Sequence, residues 1–306
     1  MGLEQIIKKA IVITGIASSF LSSCLTNKGR QTIYANPVIN EFRYSEELPL
    51  AEQHDLWIES ICPKTVEDYR LDGTVLSKLP NDGTNKIAIT IDDCYNLNVL
   101  EGILDEFVEH NKVMQSIIPE YKASMTLFPV GELLKKEKYL ELFKRAEKEG
   151  HDIANHTFTH KNLTVVSDNV IKEEITETNK LLKETLGIDC YILRAPYGAI
   201  DANMIEIAKD NGIKYITQWN KYGRDAEKKE NGEPFSGQEC FEQVKDLECC
   251  AIILFHSNKE ESLTAIKYLL YDIAMKNIAI ISESDFNPEN NFEDLIYPVS
   301  LSEVLK

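Results

Sequence analysis

Four short stretches of the chain hold side chains whose types and spacing suit chemistry. Thr90-Ile91-Asp92-Asp93-Cys94 sets two adjacent carboxylates at the end of an apolar run. Successive side chains of a strand face opposite ways, so the pair divides its work, one carboxylate for a cation and the other for a proton. The same pair also reads as a strand-to-helix turn with a capping aspartate. His156-Thr157-Phe158-Thr159-His160 places two imidazoles four residues apart, which a helical turn brings to one side, and two neutral imidazoles suit Zn²⁺ or a similar borderline cation. In Arg194-Ala195-Pro196-Tyr197-Gly198 the guanidinium suits a carboxylate clamp, and the tight Pro-Tyr-Gly turn suits a backbone N–H aimed at an oxyanion. Leu254-Phe255-His256 ends an apolar run on a histidine, a proton donor or a satisfied core residue. No G-x-S-x-G elbow occurs, which removes support for a serine hydrolase.

The elements that must position these groups follow from Lys86 onward, where short apolar runs alternate with amphipathic segments. Strands are expected over 86–92, 124–129, 152–155, 191–195, 213–219, 251–256 and 278–282. Helices are expected near 97–112, 132–149, 168–186, 201–211, 238–246 and 261–276, with Gly150 in the C-terminal capping position of the second. Strands separated by helices pair in parallel through right-handed crossovers, hence an α/β barrel or open sheet. The fold class expected is α/β, a distorted (β/α) barrel of about seven parallel strands with an N-terminal extension. Either architecture gathers active-site residues at the C-terminal ends of its strands, and all four stretches sit there.

Taken in order, the four stretches resemble the polysaccharide deacetylase (NodB-like) family, carbohydrate esterase family 4, whose motifs run T-[FI]-D-D, H-[ST]-x-x-H, R-x-P-[YFW]-G and L-x-H. EGHDIANHTFTHKNL, 149–163, is similar to the neighbourhood of the family's second motif, and the likeness covers roughly 86–285. The resemblance implies Asp92 as catalytic base, Asp93, His156 and His160 as the metal triad, and Arg194 as the residue orienting the base. Tyr197 would complete the oxyanion hole with its backbone N–H, and His256 would act as general acid, paired with Asp225. Leu254, Tyr197 and Trp219 would line the substrate pocket. The implied cofactor is a divalent metal, Zn first, with Co, Ni, Mn or Fe as substitutes. The implied reaction is removal of N-acetyl groups from a cell-wall or other GlcNAc polysaccharide such as peptidoglycan or chitin; O-acetyl ester hydrolysis of the acetyl-xylan type and a catalytically impaired glycan-binding lipoprotein are the rival readings. The sequence departs from the family where Cys94 replaces a glycine, expected to put bulk beside the metal, and where Ala226 follows Asp225 in place of an aromatic. Asn111–Tyr121 reads as an inserted loop on the rim of the site.

The chain has 306 residues, and its Asp and Glu outnumber Lys and Arg, 50 to 33, for a net charge of −17. That field repels a phosphate backbone, so nucleic acid is an unsuitable partner and an acetylated polysaccharide a suitable one. Lys8 and Lys9 precede an apolar run from Ala10 to Leu21, an export-signal pattern, and Leu21-Ser22-Ser23-Cys24 resembles a bacterial lipobox with Cys24 as the lipidated residue. The expected organisation is 1–24 signal peptide, 25–85 tether and N-terminal extension, 86–285 deacetylase domain and 286–306 tail. The expected protein is an extracytoplasmic monomer, held to a membrane only through that N-terminal anchor and otherwise secreted. Leaving out Cys24, six cysteines remain in an exported chain, which permits disulfides, although scattered buried thiols account for most of them.

Overall fold

In the computed structural model, which describes residues 65–282, 286–287 and 291–305, the strand β2 (Lys86–Asp93) is the organising element. Its Ile87, Ile89 and Ile91 face the helices, whereas Ala88, Thr90 and Asp92 face the other way, toward the centre of the sheet system. Every residue of β2 after Lys86 is buried, as befits a central parallel strand covered on both faces. The segment before it contributes α1 (Val66–Leu71) and β1 (Val75–Leu76). After it follow α2 (Leu97–Gln115), β3 (Thr126–Pro129), α3 (Glu137–Glu149), β4 (Asp152–Ile153), α4 (Asp168–Leu186), β5 (Ile192–Leu193), α5 (Ala202–Asp210), β6 (Tyr215–Thr217) and β7 (Lys221–Tyr222). The chain continues through α6 (Gly237–Val244), β8 (Ile252–His256), α7 (Glu260–Ile281), β9 (Tyr297–Pro298) and α8 (Leu301–Val304).

Among the described residues the named strands pair in parallel, in one sheet of order β4-β3-β2-β8-β7, with β9 on the first residues of β2, and another of order β1-β6-β5, and the Lys78–Ala251 bridge is antiparallel. Single bridges, Asn155 with Leu193 and Lys78 with Ala251, join the two sheets at both sides and close the strands into a distorted barrel. Its interior holds Ala88, Phe128, Ala154, Ile192 and Ile252, stoppered at the N-terminal end of the strands by Val299, Leu301 and Leu305. Outside, α2, α3 and α7 cover β2, β3 and β8 in the largest core, while α4 and α5 cover β5 and β6.

Five sequence expectations change. Residues 278–282 are not a strand: α7 runs to Ile281, because Ala265, Ile266, Leu269, Leu270, Ile273, Ala274 and Ile278 keep helical spacing and no glycine or proline interrupts them. Short apolar runs of this kind fit both periods. Residues 65–85 are not outside the barrel, since β1 pairs with β6, and 286–306 is more than a tail, since β9 pairs with β2 and α8 plugs the barrel; both belong to one compact unit, Lys64–Lys306. Asn111–Tyr121 is no rim loop. Its first half ends α2, and the turn that follows lies at the opposite end of the barrel from Asp93, with Tyr121 fully buried against His110 and Tyr297. Cys94, too, turns its thiol into the helix-covered core rather than toward the carboxylates' open side: it is fully buried, with Sγ 3.8 Å from Ile91 O.

The export signal, the lipobox cysteine Cys24 and the tether lie outside the described residues. No described helix is long and apolar enough to cross a membrane. Cys94, Cys190, Cys240, Cys249 and Cys250 are all free thiols.

Candidate active site

The parallel register sets the ends of the strands level. Asp92 stands beside His256 across the β2–β8 pair, and Thr90 beside Leu254. After Asp92 the strand breaks sharply, for Asp93 (φ 67°) and Cys94 (φ 65°) are both left-handed. The break defeats the simple alternation expected from the strand: Asp93 Oδ1 and Asp92 Oδ2 come within 3.5 and 3.8 Å of the same atom, His156 Nε2. The two carboxylates differ instead in their other neighbours. Asp92 Oδ1 accepts from Arg194 Nη1 at 2.9 Å, whereas Asp93 Oδ1 lies 3.2 Å from His160 Nε2 and Asp93 Oδ2 accepts from Asn258 Nδ2 at 2.7 Å.

His156 and His160 do not sit on a helix. The segment between them is a curled loop with Thr157 (φ 65°) and His160 (φ 60°) left-handed, and it carries the two rings to a centroid separation of 5.0 Å. Helix α4 holds this loop: Glu174 accepts from the Thr159 N–H at 2.7 Å and from its hydroxyl, and pairs with Lys161 at 3.1 Å. Asn155 holds its start, with Oδ1 accepting from Thr157 N at 2.7 Å and Nδ2 donating to Ile175 O at 2.9 Å. Five left-handed non-glycine residues, Asp93, Cys94, Thr157, His160 and Tyr197, thus crowd one end of the barrel, where a fold concentrates strain only when surrounding contacts fix it.

Arg194 is completely buried. Its guanidinium donates to Thr217 O, Gln218 O, Thr90 Oγ1 and Asp92 Oδ1, over the Phe128 ring at 4.4 Å. Burial pulls the guanidinium pKa down and Asp92 opposes the fall. The following turn closes through Gly198 N to Ala195 O at 3.1 Å, with Tyr197 at φ 62° and its ring 4.8 Å from that of His160. Gly198 is needed here: φ is +66°, and a Cβ would stand 2.8 Å from Trp219. Trp219 therefore walls the site beside Tyr222, at a ring separation of 6.2 Å. Leu254 lies buried on the inward face of β8, the face it shares with His256, and pairs in register with Tyr222.

Asp225 stands against His256, its Oδ1 accepting from Nδ1 at 3.1 Å and its Oδ2 from the His256 N–H at 2.6 Å and from Ser262 Oγ at 2.7 Å. Burial pushes His256 down, but the Asp225 carboxylate, with Asp92 and Asp93 behind it, outweighs that and lifts its pKa to about 9. For Asp93, burial pushes the carboxyl up while the His156 and His160 imidazoles beside it win, leaving it far below the usual carboxylate range. All the residues expected at the site thus converge. Sequence reasoning missed Asn258, Glu174 and Ser262, which hold Asp93, the histidine loop and Asp225; for Glu174 the visible signal was an acidic residue on the inward, apolar stripe of α4.

The residues fit a metal ion. Asp93, His156 and His160 bring one ligand atom each within 4.8 Å of one another. Asp93 Oδ1 is buried without a hydrogen-bond partner, an atom that a cation would satisfy. His156 Nδ1–H donates to Arg194 O at 2.8 Å, which orients the ring so that Nε2, once it gives up its proton, can offer a lone pair to a cation beside Asp93. A carboxylate and two imidazoles leave further coordination positions open, the pattern of a hydrolytic rather than a closed structural site.

The barrel gathers side chains that could hold a metal ion beside a second carboxylate, and comparisons with known proteins show what the chain is similar to. Residues 80–216 match the family model described as "Polysaccharide deacetylase". A peptidoglycan-N-acetylglucosamine deacetylase of Bacillus cereus is 32% identical over 135 residues, 44% of either chain, and a chitooligosaccharide deacetylase of Rhizobium leguminosarum bv. trifolii is 29% identical over 154 residues, 49% of this chain and 65% of that one. The chain thus spans less than half the length of the Bacillus cereus relative. A crystal structure of a peptidoglycan N-acetylglucosamine deacetylase superimposes with a TM-score of 0.58 at 24% identity, covering 77% of this chain and 94% of that one, which shows the shared fold. Asp225 and His256 lie beyond the matched segment, so their pairing rests on geometry.

Proposed function

We propose that the protein is a metal-dependent deacetylase that hydrolyses N-acetyl groups of a GlcNAc-containing polysaccharide, peptidoglycan or a chitin-like polymer. The observation that carries the reading is the buried, unpartnered Asp93 Oδ1 between two imidazoles, with a second carboxylate, Asp92, held separately by Arg194. Asp93, His156 and His160 would hold a divalent cation, which would supply Lewis-acid polarisation of the acetyl carbonyl and a more acidic water; the donor set suits Zn²⁺ best, with Co, Ni, Mn or Fe as substitutes.

Asp92 takes the proton of the attacking water, and Arg194, donating to Asp92 Oδ1 at 2.9 Å, holds that carboxylate in position. The Tyr197 N–H donates to the developing oxyanion. His256, charged through its contact with Asp225, delivers a proton to the departing amine. Leu254 and Trp219 give the acetyl methyl an apolar seat beside this machinery. The N-terminal pattern around Cys24 supports an extracytoplasmic lipoprotein, which would bring the site to cell-wall glycan.

Replacing Asp92 by Asn preserves the shape and the acceptor for Arg194 but removes the base. Acetate release from chito-oligomers is expected to fall by a factor on the order of 10² or more, with metal content unchanged by elemental analysis. Undiminished turnover in Asp92→Asn would contradict the assignment.

A further inference from the structure

The turn between β8 and α7 binds two carboxylates of the site at once. Asp225 is held from both ends of the turn: its Oδ2 accepts from the His256 N–H at 2.6 Å and from Ser262 Oγ at 2.7 Å, and its backbone oxygen accepts from Lys259 Nζ at 3.1 Å. Asn258 lies between these anchors, half-buried, and donates from Nδ2 to Asp93 Oδ2 at 2.7 Å. A carboxylate only accepts, so the nitrogen of the amide is the atom that faces Asp93. The amide oxygen is then left buried without a partner. A buried acceptor with no donor is a cost to the fold, so local stability does not account for this amide, and its contact with Asp93 does.

The two oxygens of Asp93 have different surroundings. Oδ1 lies 3.5 Å from His156 Nε2 and 3.2 Å from His160 Nε2 and lacks a hydrogen-bond partner, whereas Oδ2 is occupied by the amide. Asp93 therefore offers a cation one oxygen. Its backbone is left-handed at the broken end of β2, beyond the reach of regular strand pairing, so the amide is what fixes the carboxylate's rotation. Freed of it, the carboxylate turns and presents both oxygens. Large hard cations accept two-oxygen carboxylates and many ligands, whereas a borderline cation on imidazoles takes few. A second oxygen would also fill a position that a hydrolytic site keeps open.

We infer that Asn258 is a positioning residue: by holding Asp93 Oδ2 it confines that carboxylate to one-oxygen ligation and keeps a coordination position free. The inference rests on the reading of Asp93, His156 and His160 as metal ligands, and binding rather than turnover tests it. Co²⁺, whose visible absorption reports its coordination number, is titrated into the metal-free full chain and into its Asn258→Leu and Asn258→Ala variants. Leucine fills the space of the amide and keeps water out; with alanine, water from the open cleft that Asn258 lines replaces part of the lost bond. Thermal unfolding without metal checks that each variant is folded. Asn258→Leu is expected to weaken Co²⁺ binding about 10- to 100-fold and to shift the visible bands to shorter wavelength with loss of intensity, and Asn258→Ala to do so to a smaller extent. A parent-like spectrum in folded Asn258→Leu, or a parent that binds no Co²⁺, overturns the inference; should the leucine variant not fold, the alanine variant decides by the same criterion. Acetate release from chito-oligomers by the Zn²⁺-loaded parent is measured alongside. Release with spectra that do not depend on Asn258 overturns the positioning role alone, and an Asn258-dependent spectrum without release overturns the deacetylase reading alone.

Discussion

At the scale of single residues, His256 is the group whose environment makes the sharpest claim. Its pKa of about 9 is set against burial by Asp225 first and by Asp92 and Asp93 after it. A cation at the triad offsets the contribution of Asp92 and Asp93 and leaves that of Asp225, so the charged imidazole depends on that partner. The folded-state value lies above the ordinary histidine value of 6.5, so the stability that the pair contributes is fully present below about pH 6.5 and is lost as pH rises toward 9. A general acid must also be protonated, so activity falls on that alkaline side. Asp225→Asn is therefore expected to move the alkaline limb of the kcat/KM profile to lower pH and to flatten the loss of Tm between pH 6.5 and 9. An unmoved limb would remove His256 from the acid's role. That Asp92, Asp93, His156 and Arg194 meet at one end of the barrel was legible in the sequence, because each ends or closely follows an apolar run. What Cys94 does was not legible: its residue type suggested bulk at the metal, and only the left-handed break at Asp93 and Cys94 sends its thiol into the core, where burial and the neighbouring carboxylates hold it protonated.

At the scale of elements, the His156–His160 loop between β4 and α4 depends on a helix that supplies none of the three residues of the Asp93–His156–His160 cluster. Glu174 sits on the inward stripe of α4, almost fully buried, and binds the backbone and hydroxyl of Thr159 beside His160. Burial pushes the Glu174 carboxyl up, but Thr159 and Lys161 together hold it ionised, below its ordinary range. Two left-handed residues in that loop, Thr157 and His160, keep their conformation only under such restraint. Glu174→Ala is expected to weaken metal binding by about 10- to 100-fold, with Glu174→Gln recovering much of it through its retained acceptor, as competition with a chromogenic chelator would show. Equal metal affinity in both variants and the parent would assign Glu174 to packing alone. The i to i+4 histidine spacing pointed to two rings that do meet, but for an incomplete reason, because a curled loop, not a helical turn, joins them. Helix periodicity served well over α2, α4 and α5. It failed at 278–282, where α7 is apolar enough around its axis for its last turn to imitate a strand.

For the molecule as a whole, the barrel is completed by pieces that sequence periodicity assigned to its outside. β1 and β9 are two-residue strands, and β7 is no longer, too short to leave a period-2 signature. Each nevertheless covers an edge, β1 along β6 and β9 along the first residues of β2. Leu301 and Leu305 are buried in the barrel floor, and each is worth roughly 1.5–3 kcal/mol when fully buried. A chain cut to 86–285 is therefore expected to lose most of its cooperative thermal unfolding, whereas one cut to 65–306 retains it; equal transitions for the two would show the flanking pieces to be dispensable. The alternation of strands and helices and the gathering of polar residues at strand ends were readable because they follow from backbone periodicity. Closure by single bridges was not, since it depends on contacts between segments far apart in sequence.

Whether Asp93, His156 and His160 hold a cation used to deacetylate glycan is decided by acetate release from peptidoglycan and chito-oligomers before chelation, after it, and after Zn²⁺ is restored. Chelation is expected to abolish the release and Zn²⁺ to recover it. Release that survives complete removal of metal would contradict this role of the cation, as would a metal-loaded protein that frees acetate from neither glycan.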